Sequence, residues 1–265
     1  MNRQVDKNMP VVILAGGLGT RLREETEFVP KPMVKIGGYP ILWHIMKLYS
    51  HFGFNNFIVC TGYKGEVIQD YFLNFHARNS TFTVNLGHSN KITFYDKHHL
   101  SWKITVVNTG ELTTTGGRIA QVKDFIETKQ FLCTYGDGLS NININNLIDF
   151  HNKKDKIATL TSIRPESRFG NLQIDDSSEV LNFEEKPMQE YWVNGGFFVF
   201  EKKIFEYLDL NSSLEQHVLK KLATNNELNA FKHTDFWQPM DTFREFEYLN
   251  KLWSNNKAPW VVWDE

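Results

Sequence analysis

The sequence predicts an α/β fold, a Rossmann-like sheet of mixed but mostly parallel strands flanked by helices, as one domain over residues 1–265. Three observations carry this. The aliphatic run Val11-Val12-Ile13-Leu14-Ala15 ends at Gly16-Gly17, as a buried parallel strand does when it runs into a glycine loop. Strand-like and helix-like segments then alternate along the chain. Finally, 265 residues with 41% hydrophobic and 14% aromatic content can build one sizeable core without a disulfide or a structural metal.

Taken in order, the first strand is followed by a helix that opens at Pro40, carries Ile41, Ile45, Leu48 and Phe52 at helical spacing, and stops at Gly53. Phe57 to Thr61 is the next strand and Glu66 to Phe72 the next short helix, which completes a βαβα opening. Phe75 to Trp102 is richer in Thr, Asn, His and aromatic residues. Its alternation at Thr81 to Leu86 and Lys91 to Tyr95 predicts a small hairpin-like β excursion from the sheet.

The alternation resumes with a strand at Ile104 to Asn108, a helix from about Gly117 to Ile126, and a strand at Phe131 to Tyr135 that ends in Gly136-Asp137-Gly138. Asp137 therefore belongs at a strand's carboxyl end, the edge where open α/β sheets bind ligands. Ile157 to Ile163, Asn171 to Ile174, Val180 to Phe183 and Gly195 to Phe200 read as further strands. A helix from about Thr242 to Trp253 precedes an exposed-looking tail, Asn255 to Glu265. Trp260 and Trp263 lie on that tail, so it is expected to pack on the main domain or on a neighbouring subunit.

Charge and cysteine usage exclude several classes. A net charge of -2 supplies no basic field for a nucleic-acid backbone, so phosphates have to be met by local groups. Cys60 and Cys133 each sit in an apolar stretch and read as small buried thiols, with no CxxC pair or Cys/His zinc spacing, which fits a reducing compartment. Met1 to Met9 is polar and Val11 to Ala15 is too short for a signal core or a membrane span, so a soluble, cytoplasmic protein is expected.

Two segments carry the chemistry. Leu14-Ala15-Gly16-Gly17-Leu18-Gly19-Thr20-Arg21-Leu22 places three glycines and a threonine after a buried strand, where backbone N–H groups can converge on phosphate and Arg21 adds a forked cation. Leu22 stands where a dinucleotide fingerprint needs glycine, and Gly-Lys-Ser/Thr of a P-loop is absent. Downstream, Pro30-Lys31-Pro32 frames a lysine between prolines that fix the backbone and deny it a helical or ladder role.

These two segments together resemble the signature of the sugar nucleotidyltransferases. The similarity continues through Phe131 to Gly138, Phe183-Glu184-Glu185-Lys186-Pro187, Val193 to Phe198 and Trp237-Gln238-Pro239-Met240-Asp241-Thr242, nearly the whole chain from Met9. Within that family the chain is most similar to the branch that makes CDP-glucose from CTP and glucose 1-phosphate. Arg21-Leu22-Arg23-Glu24-Glu25-Thr26, Thr115-Gly116-Gly117-Arg118, Arg168-Phe169-Gly170 and Lys257-Ala258-Pro259-Trp260 carry that narrower likeness.

The resemblance implies the nucleotide-diphospho-sugar transferase type of fold. It also implies that Leu14, Ala15, Gly16, Gly17, Leu18, Gly19, Thr20 and Arg21 wrap the nucleotide, joined by Thr115, Gly116, Gly117, Arg118, Gly136 and Asp137, while Lys31 reaches the triphosphate. Asp137 and Asp241 would hold Mg²⁺. A turn aspartate before Gly138 and a cap of the final helix are the plainer alternatives for these two. Lys186 would bind the sugar's phosphate, with Glu185, Asn194 and Gly195 at the sugar.

The implied reaction is an in-line displacement, in which an oxygen of the sugar 1-phosphate attacks the α-phosphorus and pyrophosphate leaves. That nucleophile is already ionised, so positioning and charge neutralisation by Arg21, Lys31, Lys186 and the metal can supply the catalysis without a general base. No Ser/His/Asp or Cys/His set competes. The alternatives are a uridylyl-, thymidylyl- or guanylyltransferase on another sugar 1-phosphate, or a catalytically silent subunit of the same fold. A homo-oligomer is expected, with no nucleic-acid or membrane partner.

Overall fold

The computed structural model describes residues 5–19, 26, 28–87, 91–95, 100–167 and 169–263. Seven strands form the central sheet: β1 (Val11–Ala15), β2 (Asn56–Thr61), β3 (Lys103–Asn108), β4 (Gln130–Tyr135), β5 (Ala158–Ile163), β6 (Val193–Glu201) and β7 (Leu228–Lys232). Their spatial order is β7-β5-β6-β4-β1-β2-β3. Pairing is parallel throughout except at β6, which runs antiparallel to both β4 and β5. The expected mixed, mostly parallel sheet is therefore what the chain adopts.

β1 is buried at every position, and its side chains alternate between the two faces as a strand of period two requires. Val11, Ile13 and Ala15 join one core with Ile45 of α1 (Ile41–His51), Ile68 of α2 (Gly65–Leu73) and Leu147 of α4 (Ile144–Lys154). Leu249 of α6 (Phe243–Ser254) completes that face. Val12 and Leu14 join the other core with Ile119 of α3 (Thr115–Gln121) and Leu222 of α5 (Leu219–Thr224). Cys60 and Cys133 lie fully buried in this second core as free thiols, and burial pushes Cys60 up to about 12 and Cys133 well above the ordinary thiol range.

Two elements differ from expectation. The helix placed at Gly117 to Ile126 starts at Thr115, because the Thr114 hydroxyl accepts from the Gly117 N–H, and it ends at Gln121, giving way to a 3₁₀ turn at Lys123–Phe125. Lys31–Met33 is itself one 3₁₀ turn rather than irregular chain, since proline is well tolerated in a first turn where its missing N–H has no partner to lose. The excursion is a hairpin of Phe82–Val84 and Ile92–Phe94, and a second exposed hairpin joins Asn171–Ile174 to Val180–Glu184. Among the described residues no helix is long and apolar enough to cross a membrane.

The tail buries its two tryptophans while Asn255, Asn256, Lys257 and Pro259 stay exposed. Trp260 is 1% and Trp263 8% accessible, both docked on the same chain. The indole N–H of Trp260 donates to Nδ1 of buried His44 at 3.3 Å, so the His44 proton sits on Nε2 and is donated to the Ile36 carbonyl at 2.9 Å. Burial lowers His44 to about 4 from 6.5. A folded-state value below the unfolded one stabilises the protein above pH 6.5, and that stability is lost as pH falls from 6.5 towards 4. The loss is about 3 kcal/mol. Urea unfolding at pH 7 and pH 4 should therefore show a drop that is smaller by roughly this amount in His44→Asn, and equal drops in the two proteins would refute it.

Candidate active site

Sheet topology fixes where a ligand can lie. The chain moves outward from β1 to β2 and β3, then returns to place β4 on the other side of β1. The crevice above the carboxyl ends of β1 and β4 is thus the switch point of the sheet. Gly16 leaves β1 there and Gly136-Asp137 leaves β4 there, with the Gly136 N–H bonded to the Leu14 carbonyl at 3.1 Å.

A short ladder that the sequence did not reveal completes the crevice. Gly138–Ser140 pairs antiparallel with Trp237–Pro239, and the Met240 N–H then donates to the Asp137 carbonyl at 2.9 Å. Asp241 follows immediately. The final helix is capped by Thr242 in a reciprocal capping box with Glu245, so the Asp241 carboxylate is left for another duty. Lys31 reaches into this corner. Its Nζ donates to Asp137 Oδ2 at 2.7 Å and to Asp241 Oδ1, across 106 and 210 positions of sequence. The ammonium is nearly buried. Burial pulls it down, and the two carboxylates outweigh that effect and leave it above the ordinary lysine value. Two carboxylates converging on one cation form a hard-oxygen set that suits a divalent ion completed by phosphate and water.

Arg118 is engaged by the backbone around the glycine loop. It is 4% accessible, and Nη1 donates to the carbonyls of Thr61 (2.9 Å) and Gly110 (2.8 Å) and to the Thr109 hydroxyl (2.6 Å). Nη2 donates to the carbonyls of Gly16 (2.9 Å) and Glu111 (3.2 Å). The guanidinium ties the glycine loop to the ends of β2 and β3. It also explains two glycines, because a Cβ on Gly16 or Gly62 would fall within 2.2 Å or 2.7 Å of Nη1.

Thr115, Gly116 and Gly117 likewise carry a packing role. A Cβ on Gly116 would meet the Ser212 carbonyl at 2.5 Å and one on Gly117 the Leu210 carbonyl at 2.3 Å, so both let α3 lie against the 209–213 loop. Thr115 donates to Glu215 Oε2 at 2.6 Å. Gly17 is the contrast: among the described residues an added Cβ would meet nothing within 4 Å, and the neighbouring Leu18 is 44% accessible. Gly19 adopts φ +63°, which a side chain would strain. Thr20 and Arg21, and the Arg23 to Glu25 and Arg168 positions of the narrower likeness, lie outside the described residues.

The sugar-side candidates sit along the same edge. Because β6 is antiparallel, its first residues, Val193 to Gly195, lie beside Ile163 and Ser162 at the end of β5. Asn194 donates to the Tyr135 hydroxyl at 3.1 Å, and the Gly195 carbonyl accepts from the Trp237 indole at 2.7 Å. Lys186, at φ +51°, pairs with the exposed carboxylate of Glu185 at 3.4 Å rather than with the Lys31 corner. Tyr135 and Glu215 are the polar groups that sequence reading missed. Burial, then the facing Glu215 carboxylate, raise the Tyr135 phenol far above its ordinary value.

Residues 10–251 match the nucleotidyl transferase family. The chain is 47% identical over 259 residues to the glucose-1-phosphate cytidylyltransferase of Salmonella typhi, covering 97% of this chain and all of that one. It is 44% identical over 257 residues to the probable glucose-1-phosphate cytidylyltransferase of Bacillus subtilis, covering 96% of this chain and all of that one. Among solved structures, HddC from Yersinia pseudotuberculosis superposes with a TM-score of 0.67 at 24% identity, over 92% of this chain and 99% of that one, a likeness of fold.

The glycines separate by what surrounds them, and stability measurements can read this directly. Gly16→Ala and Gly117→Ala force a methyl into occupied space and should each lose about 1–3 kcal/mol. Gly17→Ala should stay within about 0.5 kcal/mol of the parent. A Gly17 variant as destabilised as the Gly16 variant would overturn this reading of the loop.

Proposed function

The chain belongs to the nucleotidyl transferase family, and from that premise we propose that it transfers the cytidylyl group of CTP to glucose 1-phosphate, giving CDP-glucose and pyrophosphate. The observation that carries the reading is the convergence of Lys31, Asp137 and Asp241 above the β1/β4 crevice. Near-full-length identity to relatives bearing that activity supplies the substrates.

In this reading the glycine loop, Leu14 to Arg21, receives the nucleotide, and the space beside Gly17, unfilled among the described residues, admits its phosphates to the backbone N–H groups. Lys31 has three ammonium protons, of which two are directed at carboxylates among the described residues, so one donor remains for a phosphate oxygen. Asp137 and Asp241 would hold Mg²⁺, which neutralises charge on the reacting phosphates when bound. Arg118 holds the walls of the nucleotide pocket, with Thr115, Gly116, Gly117 and Gly136 shaping it.

Lys186 and Glu185 meet the sugar phosphate and sugar, together with Asn194 and Gly195 at the start of β6. An ionised oxygen of glucose 1-phosphate attacks the α-phosphorus in line, and Arg21, Lys31 and Lys186 offset the charge of the crowded phosphates. We place the enzyme in the cytoplasm, in keeping with two free buried thiols. We also read it as a homo-oligomer, because its two hairpins leave Phe82, Phe94, Leu172 and Phe183 exposed.

Two measurements test the assignment. Asp137→Asn keeps the side chain's shape while removing its charge, and it should lower kcat by about 10²-fold or more with melting temperature retained. Near-normal turnover at saturating Mg²⁺ would refute the metal role. CTP should also exceed UTP in kcat/KM with glucose 1-phosphate, since cytosine presents an amino donor where uracil presents an acceptor. A site that bonds a distinguishing group discriminates by about 10⁴-fold, and a ratio at or below one would transfer the chain to another branch of the family.

A further inference from the structure

One polar network links the strand that carries Asn194 to the helix that carries Thr115. The Asn194 Nδ2 donates to the Tyr135 hydroxyl at 3.1 Å, and its Oδ1 accepts from the Gly196 N–H at 3.0 Å. The Tyr135 hydroxyl donates to Glu215 Oε1 at 2.7 Å. Oε2 of the same carboxylate accepts from the hydroxyls of Thr115 at 2.6 Å and Ser213 at 3.1 Å. Thr115 Oγ1 in turn accepts from the Leu214 N–H at 3.0 Å. Among the described residues no lysine or arginine forms an ion pair with Glu215, so hydroxyl donors satisfy it.

The carboxylate dictates the direction of every bond. An ionised carboxylate only accepts, and a phenol has a single proton. With that proton directed at Glu215, the Tyr135 oxygen can only accept from Asn194. The Asn194 amide must then present its NH₂ group to Tyr135 and its Oδ1 to Gly196. One N–H and one oxygen lone pair remain on the amide, in fixed positions.

Backbone geometry at the same place is built around this arrangement. The register of β6 against β5 shifts between Leu160 and Ser162, opposite Gly195 to Phe197, and Gly196 and Phe197 both take positive φ, +75° and +49°. Such a bulge re-aims a side chain at the rim of a sheet. A Cβ at Gly196 would press on the Tyr135 ring at 3.0 Å. Glu215 itself lies on a single π-helical turn, Leu214–Val218, capped by Ser213. Turns of this kind are frequent at functional sites.

We propose that Glu215 and Tyr135 are positioning residues that fix the proton order of this network and so hold the Asn194 amide in the one orientation that receives the hydroxyls of the sugar phosphate. The proposal rests on the reading of Asn194 as a sugar-side contact. It extends the site by two residues that touch no substrate and act through a third.

Steady-state kinetics with CTP and glucose 1-phosphate on Glu215→Gln, Tyr135→Phe, the double variant and Asn194→Ala test it. Glutamine can donate as well as accept, and phenylalanine removes the acceptor while keeping the ring. Each should raise KM for glucose 1-phosphate by about tenfold and leave KM for CTP within about twofold. The double variant should be no worse than the worse single one, because both break the same chain of bonds. If Glu215→Gln fails to fold, Tyr135→Phe decides alone. Equal losses for both substrates, a loss confined to CTP, or unchanged kinetics beside an impaired Asn194→Ala would overturn the positioning role. An unchanged KM for glucose 1-phosphate in Asn194→Ala would instead overturn the sugar-side assignment, and the network's role with it.

Discussion

The Lys31 ammonium between Asp137 and Asp241 is the interaction on which the arrangement of the site depends. Two carboxylates brought to one partly buried corner repel each other and lose hydration, and only a cation makes their approach tolerable. The cation comes from the proline-framed turn that follows the glycine loop, one carboxylate from the end of β4 and the other from the chain entering α6. Three segments distant in sequence are thereby held in one place. In the proposed reaction the same corner suits phosphates and divalent ions, since it assembles hard oxygen donors around positive charge.

Around that corner the glycines and Arg118 hold the frame of the site. Arg118 gathers carbonyls from the ends of β1, β2 and β3, which satisfies groups that would otherwise face a partly dry crevice. Gly16 and Gly62 are small because the guanidinium lies over them, and Gly116 and Gly117 are small because α3 rests on the 209–213 loop. Gly17 has no such neighbour among the described residues. A glycine-rich signature thus mixes positions that fit the protein to itself with one that leaves room for something else.

What was legible in the sequence follows from how local each signal is. β1, β2, β4 and α1 have patterns contained in their own residues, and they lie where the periodicity put them. Asp137 was legible because it ends a buried strand. The pairing of Gly138–Ser140 with Trp237–Pro239 was not, since two three-residue strands have no period to read, and yet that pairing brings Asp241 to Asp137. α4 was missed although Asn143 caps it and Ile144, Leu147, Ile148 and His151 are buried at helical spacing. Its polar remainder, Asn145 to Lys154, obscured that stripe. The tail read as exposed because Trp260 finds two of its ring partners, His44 and Phe236, outside the tail's own neighbourhood in sequence.

Tyr135 and Glu215 show why the rest of a site escapes sequence reading. Tyr135 sits unremarked inside the Phe131 to Gly138 stretch and Glu215 in no motif at all, and the two meet Asn194 only through the antiparallel insertion of β6 next to β4. Were β6 parallel like its neighbours, its first residues would lie at the opposite edge of the sheet, and Asn194 could not meet a hydroxyl at the carboxyl end of β4. The reversal of one strand therefore does two things. It interrupts an otherwise parallel sheet, and it delivers a strand's amino-terminal side chains to the ligand edge, where parallel strands offer only their carboxyl ends. The bulge at Gly195 to Phe197 follows from the same demand: a strand arriving from above the crevice has to turn its first amide into the site before its later residues settle into the core.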